Sequence, residues 1–227
     1  MCGRYTNRLT WSEIVKLYRI TSRQPALNLQ PRYNIAPTQD VAAVRRAAGS
    51  ADRELAMLRW GLVPSWAKDI AIGARMINAR AETLAEKPSF RSAFKSRRCL
   101  IVADGFYEWQ KQPKGPKQPF LIGLKDGEPF AFAGLWERWE KSPDDKPVES
   151  CTIVTTEAND LLKPIHDRMP VILAPDDYDA WLDVAGNSPD KARALLQPFP
   201  SERMAMSSVS TRVNSVRNDD PTCIEAA

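Results

Sequence analysis

Apolar and polar positions divide the chain into short elements with two different periods. Residues 10–20, TWSEIVKLYRI, set Ile14, Leu17 and Tyr18 on one stripe, with Thr10 and Glu13 at capping-box spacing, and predict a first helix. QPRYNIAPTQ follows, where Pro31 and Pro37 forbid a regular helix and predict extended chain. VAAVRR and ELAMLRW read as two strands around a turn at residues 49–52. KPSFRSAFKSRR predicts a short helix whose basic residues gather at its end, where they suit the helix dipole. A dense run of strand patterns comes next: CLIVADGFYEW, PFLIGL, PFAFAGLWERW and SCTIVTTEA, separated by linkers rich in turn residues. PDDYDAWLDV and SPDKARALLQPF return to helical spacing, and MAMSSVSTRVNSV to a strand pattern. The last residues, RNDDPTCIEAA, offer little to anchor them, so 219–227 are expected to form a mobile tail.

No internal repeat and no long linker interrupts this order. Residues 1–218 therefore read as one α+β domain, a largely antiparallel sheet or partly closed β-barrel core flanked by short helices. At 227 residues the chain is long for one domain and short for two, and it is long enough to bury a sizeable core. Lys and Arg number 32 against 28 Asp and Glu, a net charge of +4 that permits a polyanionic partner without arguing strongly for one. Four cysteines lie far apart and there is a single histidine, so no zinc spacing can be assembled, and no metal or cofactor is expected. Arg4, Arg8, Glu13 and Lys16 break the first twenty residues, and no apolar run reaches membrane-spanning length. The expectation is a cytoplasmic, reduced, monomeric protein with no membrane partner, in which Cys99 and Cys151 are core residues.

The chemistry begins at MCGRYTNR. Removal of Met1 would leave the α-amine and thiol of Cys2 on neighbouring carbons. That pair can condense with an aldehyde as an imine and then close a five-membered ring through sulfur, which no internal cysteine can do. An α-amine has a pKa of about 8, against about 10.4 for lysine, so far more of it is neutral and able to attack a carbonyl. On position alone, an incidental residue at a chain end is the commoner outcome. His166, beside Asp167 and Arg168, suits proton shuttling or else a surface loop. Strand alternation sends Glu108 to the face opposite Tyr107 and Trp109, either as a half-buried acid with a raised pKa or as a solvated strand residue. In RMINARAETL, Asn78 suits a hydroxyl or amine and Arg80 a phosphate, unless both lie on a helix surface. Trp66 in WGLVPSWAK is an exposed stacking platform or a buried indole.

Taken together, MCGRY, RYNIAPTQ, WGLVPSWA, INARAET, DGFYEW and IHDRMPVIL occur in one characteristic order. Over residues 2 to about 218 the chain resembles the SOS response-associated peptidase (SRAP) family, whose members shield abasic sites in single-stranded DNA; the loops around Lys114 and Asp144 depart freely. The resemblance implies that Cys2 is the nucleophile joined to the ring-opened deoxyribose as a thiazolidine. It makes Asn78, Glu108 and His166 the other active-site positions, and Arg4, Arg80 and Arg168 phosphate-binding residues. Pro37 and Trp66 match the elements that prop the DNA apart. The implied partner is single-stranded DNA containing an abasic site, met at the nucleoid, with strand cleavage as a side reaction. Two rivals stay open. One is a thiol protease, whose peptidase activity can be no more than self-removal of Met1, with Cys2, His166 and Glu108 as nucleophile, base and orienter. The other is a binding module that forms no covalent bond.

Overall fold

A computed structural model describes residues 2–186 and 189–227. Its strands are β1 (Tyr5–Asn7), β2 (Arg32–Ile35), β3 (Asp40–Arg46), β4 (Arg53–Trp60), β5 (Asn78–Arg80), β6 (Arg98–Ala103) and β7 (Gly105–Gln110). They continue as β8 (Gln118–Leu124), β9 (Phe130–Trp139), β10 (Val148–Glu157), β11 (Arg168–Pro170), β12 (Ile172–Leu173) and β13 (Met204–Ser208). The α-helices are short: α1 (Trp11–Leu17), α2 (Arg91–Ser96), α3 (Tyr178–Leu182) and α4 (Pro189–Ala194).

Five strands close on themselves. β10 pairs in parallel with β4 and antiparallel with β9, and the ring returns through β6 and β3 to β4. Strand alternation sends Val41, Ala43, Leu58, Trp60, Cys99, Ile101, Phe132, Cys151 and Ile153 into one buried cluster. The opposite faces, with Val44, Leu55, Leu100, Val102, Leu135 and Val154, are covered by the helical segments. Because both faces of β6 are buried, its sequence is a near-continuous apolar run. Gly134 on β9 leaves room for the filling: a Cβ there would stand 2.8 Å from Cys99 Sγ and 2.9 Å from Ile101.

A second antiparallel sheet, in the order β13-β8-β7-β1-β2, lies against the barrel. Tyr5 of β1 and Phe106 of β7 meet Phe132 edge-on, so the two sheets share one aromatic core. The predicted run CLIVADGFYEW is divided between the sheets at Asp104, which accepts from Thr6 Oγ1 and from Arg8 Nε. The α+β class with a barrel core therefore holds.

Local expectations are met and corrected at particular places. Thr10 and Glu13 form the capping box, but the helix ends at Leu17, and Arg19 takes a left-handed φ of 50°. Residues of RMINARAETL form strand β5 and turns instead of a helix, because β10 offers them backbone partners. The helix predicted from SPDKARALLQPF runs over Pro189–Ala194; its leading Ser188 lies outside the described residues. The expectation of an unanchored tail does not hold. Asp219 binds β2, Cys223 is fully buried, and Ala226 bridges to Val209. The anchors are polar groups and one thiol, which apolar patterning does not reveal. Among the described residues no helix is long and apolar enough to cross a membrane, and no cluster of three His, Cys, Asp or Glu is arranged to hold a metal.

Candidate active site

The N-terminal segment is drawn inward by β1, which runs between β2 and β7. Tyr107 N donates to Arg4 O at 2.9 Å, extending the β1–β7 pairing toward Cys2. Cys2 is fully buried and joins the barrel's inner cluster. Asn78 reaches it from β5: its Nδ2 donates to Cys2 O at 2.9 Å. The other amide atom, Asn78 Oδ1, is buried without a hydrogen bond, which leaves an acceptor beside Cys2. Glu108 follows Tyr107 on β7 and is only 4% exposed. Burial pushes the Cys2 thiol above its ordinary pKa, and the Glu108 charge pushes it further. The structure thus brings Cys2, Asn78 and Glu108 together.

His166 lies on a different element, where it meets its own chain neighbours. It ends the turn that joins β10 to β11, with its N–H on Leu162 O. Its Nδ1 accepts from Arg168 N at 2.9 Å and stands 2.9 Å from Asp167 Oδ1. β5 and β11 both pair with β10, Asn78 in register with Ile153 and Arg168 with Glu157.

The arginines differ sharply in what they already bind. Arg80 is exposed on β5 and makes no side-chain hydrogen bond among the described residues. Arg168 is engaged: NH1 and NH2 grip Glu82 at 2.5 and 3.0 Å, and NH2 also donates to Thr155 O. This fork holds the Glu82 carboxyl below its usual pKa. Arg4 NH1 donates to Asn34 Oδ1 and to Val213 O, both at 2.7 Å, with the guanidinium 5.6 Å from the Trp109 ring centre. Gly3, Arg4, Trp109 and Asn214 line an open cavity of about 330 Å³.

Trp66 is 57% exposed. The loop that carries it is pinned on both sides, by Val63 N on Ser150 Oγ and by Trp139 Nε1 on Ala67 O. At its root Gly61 has φ 122°, and a Cβ there would meet Gly73 O at 2.6 Å. Pro37 lies half-buried in the turn between β2 and β3, ahead of Thr38 with φ 72°. Sequence reasoning missed Asn34, Glu82 and Asn214. Asn34 and Glu82 fall inside RYNIAPTQ and INARAET, Asn214 in no motif, and no spacing betrays their partners.

The family model described as SOS response associated peptidase (SRAP) matches residues 1–216. The chain belongs to the SRAP family. It is 46% identical over 226 residues to the abasic site processing protein YoqW of Bacillus subtilis (strain 168), with both chains covered in full. The abasic site processing protein HMCES of Gallus gallus is 35% identical over 224 residues, covering 86% of this chain and 66% of its own. Among solved structures, a protein from Bacteroides thetaiotaomicron superposes with a TM-score of 0.88 at 27% identity, again over both full lengths. The SRAP match ends just before Asn218, Asp219 and Cys223, which the fold nevertheless holds against Arg4's neighbours.

Proposed function

We propose that this protein recognises an abasic site in single-stranded DNA and joins it to Cys2 as a thiazolidine. The observation that carries the reading is the convergence of Asn78 and Glu108 on a buried Cys2. The relatives' names, abasic site processing proteins, point the same way.

The chemistry follows from the groups present. An abasic sugar is mostly a closed hemiacetal, and Glu108 gives and takes the proton that opens it. With Met1 removed, the Cys2 amine adds to the C1′ aldehyde and water leaves, giving an imine. The Cys2 sulfur then adds to the imine carbon while its proton passes to nitrogen, closing the ring. One water is released overall. Asn78 Nδ2 fixes the Cys2 carbonyl, and Asn78 Oδ1 accepts from the amine or a sugar hydroxyl. His166 moves protons during imine formation and reversal. An open imine also acidifies C2′, so loss of the 3′ phosphate competes, and ring closure suppresses it.

A site without a base offers no base edge to read, so recognition rests on phosphates and stacking. Arg80, exposed at the surface, and Arg4 supply charge; Arg168 joins them by exchanging Glu82 for a phosphate. Trp66 supplies an exposed indole, and Pro37 props the strand apart. A thiol protease needs no free α-amine at Cys2, whereas the thiazolidine forms through that amine, so blocking it separates the two readings.

The test is incubation with abasic single-stranded DNA followed by a denaturing gel. A heat-stable adduct without reductant is expected. Cys2→Ser keeps the amine but offers a hydroxyl, so it should yield adduct only when borohydride traps the imine. Wild-type amounts of stable adduct from Cys2→Ser would refute a role for sulfur. Equal binding of intact and abasic strands with no adduct would leave only the binding-module reading.

A further inference from the structure

We propose that the C-terminal segment from residue 209 to 226 positions the phosphate-binding Arg4, acting through the buried amide of Asn34, with Asp219 as its latch. The proposal rests on the preceding reading that Arg4 meets a DNA phosphate.

Asn34 is fully buried on β2 and faces two ways. The two hydrogens of its Nδ2 are shared among three carbonyls of the segment, Val213 O at 3.2 Å, Ser215 O at 3.0 Å and Asn218 O at 2.6 Å. Its Oδ1 accepts from Arg4 NH1. Val213 O is shared, since Arg4 NH1 donates to it as well. One amide thus gathers a turn of the segment and offers the result to one nitrogen of one guanidinium. The remaining donors of Arg4 include Nε, which is buried without a hydrogen-bond partner. A guanidinium held by NH1 keeps its other donors aimed in a fixed direction, which is what a phosphate site needs.

The segment is itself fastened where the sheet is open. β2 is an edge strand, and Asp219 Oδ1 accepts from Tyr33 N at 2.5 Å and from Asn34 N at 2.8 Å. The other carboxylate oxygen pairs with Arg32. Asp219 therefore does for β2 what a neighbouring strand would do. Behind it, Val209, Val213 and Cys223 pack on Tyr107, whose hydroxyl donates to Tyr33 O. The same segment fixes the opposite wall of the Arg4 cavity, where Trp109 Nε1 donates to Asn214 Oδ1 at 2.7 Å. Three of the four residues lining that cavity, Arg4, Trp109 and Asn214, are thus set by or belong to this segment. Burial works against the charge of Arg4.

The test compares wild type, Asn34→Ala, Arg4→Ala and the double variant, with strand binding measured separately from adduct formation. Asn34→Ala should raise the half-saturating concentration of strand roughly tenfold, the loss of one hydrogen bond to a charged group. It should lower the salt slope of binding by roughly 0.7, one phosphate contact fewer. The rate of adduct formation at saturating strand should be retained. In the Arg4→Ala background, Asn34→Ala should add no further loss, because it acts through Arg4. A wild-type salt slope in Asn34→Ala, or losses that add in the double variant, would overturn the proposal. Asp219→Asn, which keeps the side-chain shape, is read by the same criteria should Asn34→Ala fail to fold. If wild type binds strands but forms no adduct, the thiazolidine reading fails and the binding comparison still decides this one.

Discussion

The arginines proposed to bind phosphate make separable demands, because each is held differently. Arg80 is exposed and makes no side-chain hydrogen bond among the described residues, so Arg80→Ala should lower DNA affinity and salt slope while leaving thermal stability unchanged. Arg168→Ala should cost both, since it also removes the fork on Glu82 and the bond to Thr155 O. Binding titrations over a salt series, paired with melting curves, distinguish the two. An Arg80→Ala variant that melts early and keeps its slope would make that residue structural. At the acid, Glu108→Gln keeps the size of the side chain and loses its exchangeable proton. Adduct formation on the closed sugar should slow by roughly 10² or more, the usual share of general acid–base catalysis, and slow less on a strand whose aldehyde is already open. Equal slowing on both would assign Glu108 to the addition step.

At the scale of elements, the tightest constraint is β9, which pairs with β6, β10 and β12. Gly134→Ala inserts a Cβ 2.8 Å from Cys99 Sγ, in a layer with no free space beside it, and should destabilise by about 1–3 kcal/mol in urea unfolding. An unchanged midpoint would mean that the barrel interior yields more than its packing implies. The same elements explain what the sequence reveals. The capping box at Thr10 and the apolar run of β6 are local signals, and both are legible. β5 is not, because Met76, Ile77, Ala79 and Ala81 suit either period and the strand exists only through its pairing with β10. Cys2, Asn78 and Glu108 are recognisable from their motifs. Their convergence is a product of β1, β5 and β7 meeting across sheets, which no window of sequence contains. Asp219 and Asn34 stay hidden for the same reason: their partners are backbone groups far along the chain.

For the molecule as a whole, the buried thiols and phenols set an alkaline limit. Burial pushes Cys99 up to about 12, and Cys2, Cys151, Tyr5 and Tyr18 also move upward. An unfolded chain releases these protons first, so stability is intact below the usual thiol value of 9.0 and falls as pH climbs toward about 12. Melting temperatures taken across that range should decline steadily, whereas a flat profile would contradict the burial of these groups. The central claim concerns covalent connection, which intact mass reads directly. Wild-type protein should be incubated with a short abasic strand, denatured without reductant, and weighed. The predicted species has the mass of the chain lacking Met1 plus the strand minus one water, and it survives heating because the imine has closed through sulfur. A stable adduct that retains Met1, or two separate masses with no adduct at all, would contradict the account.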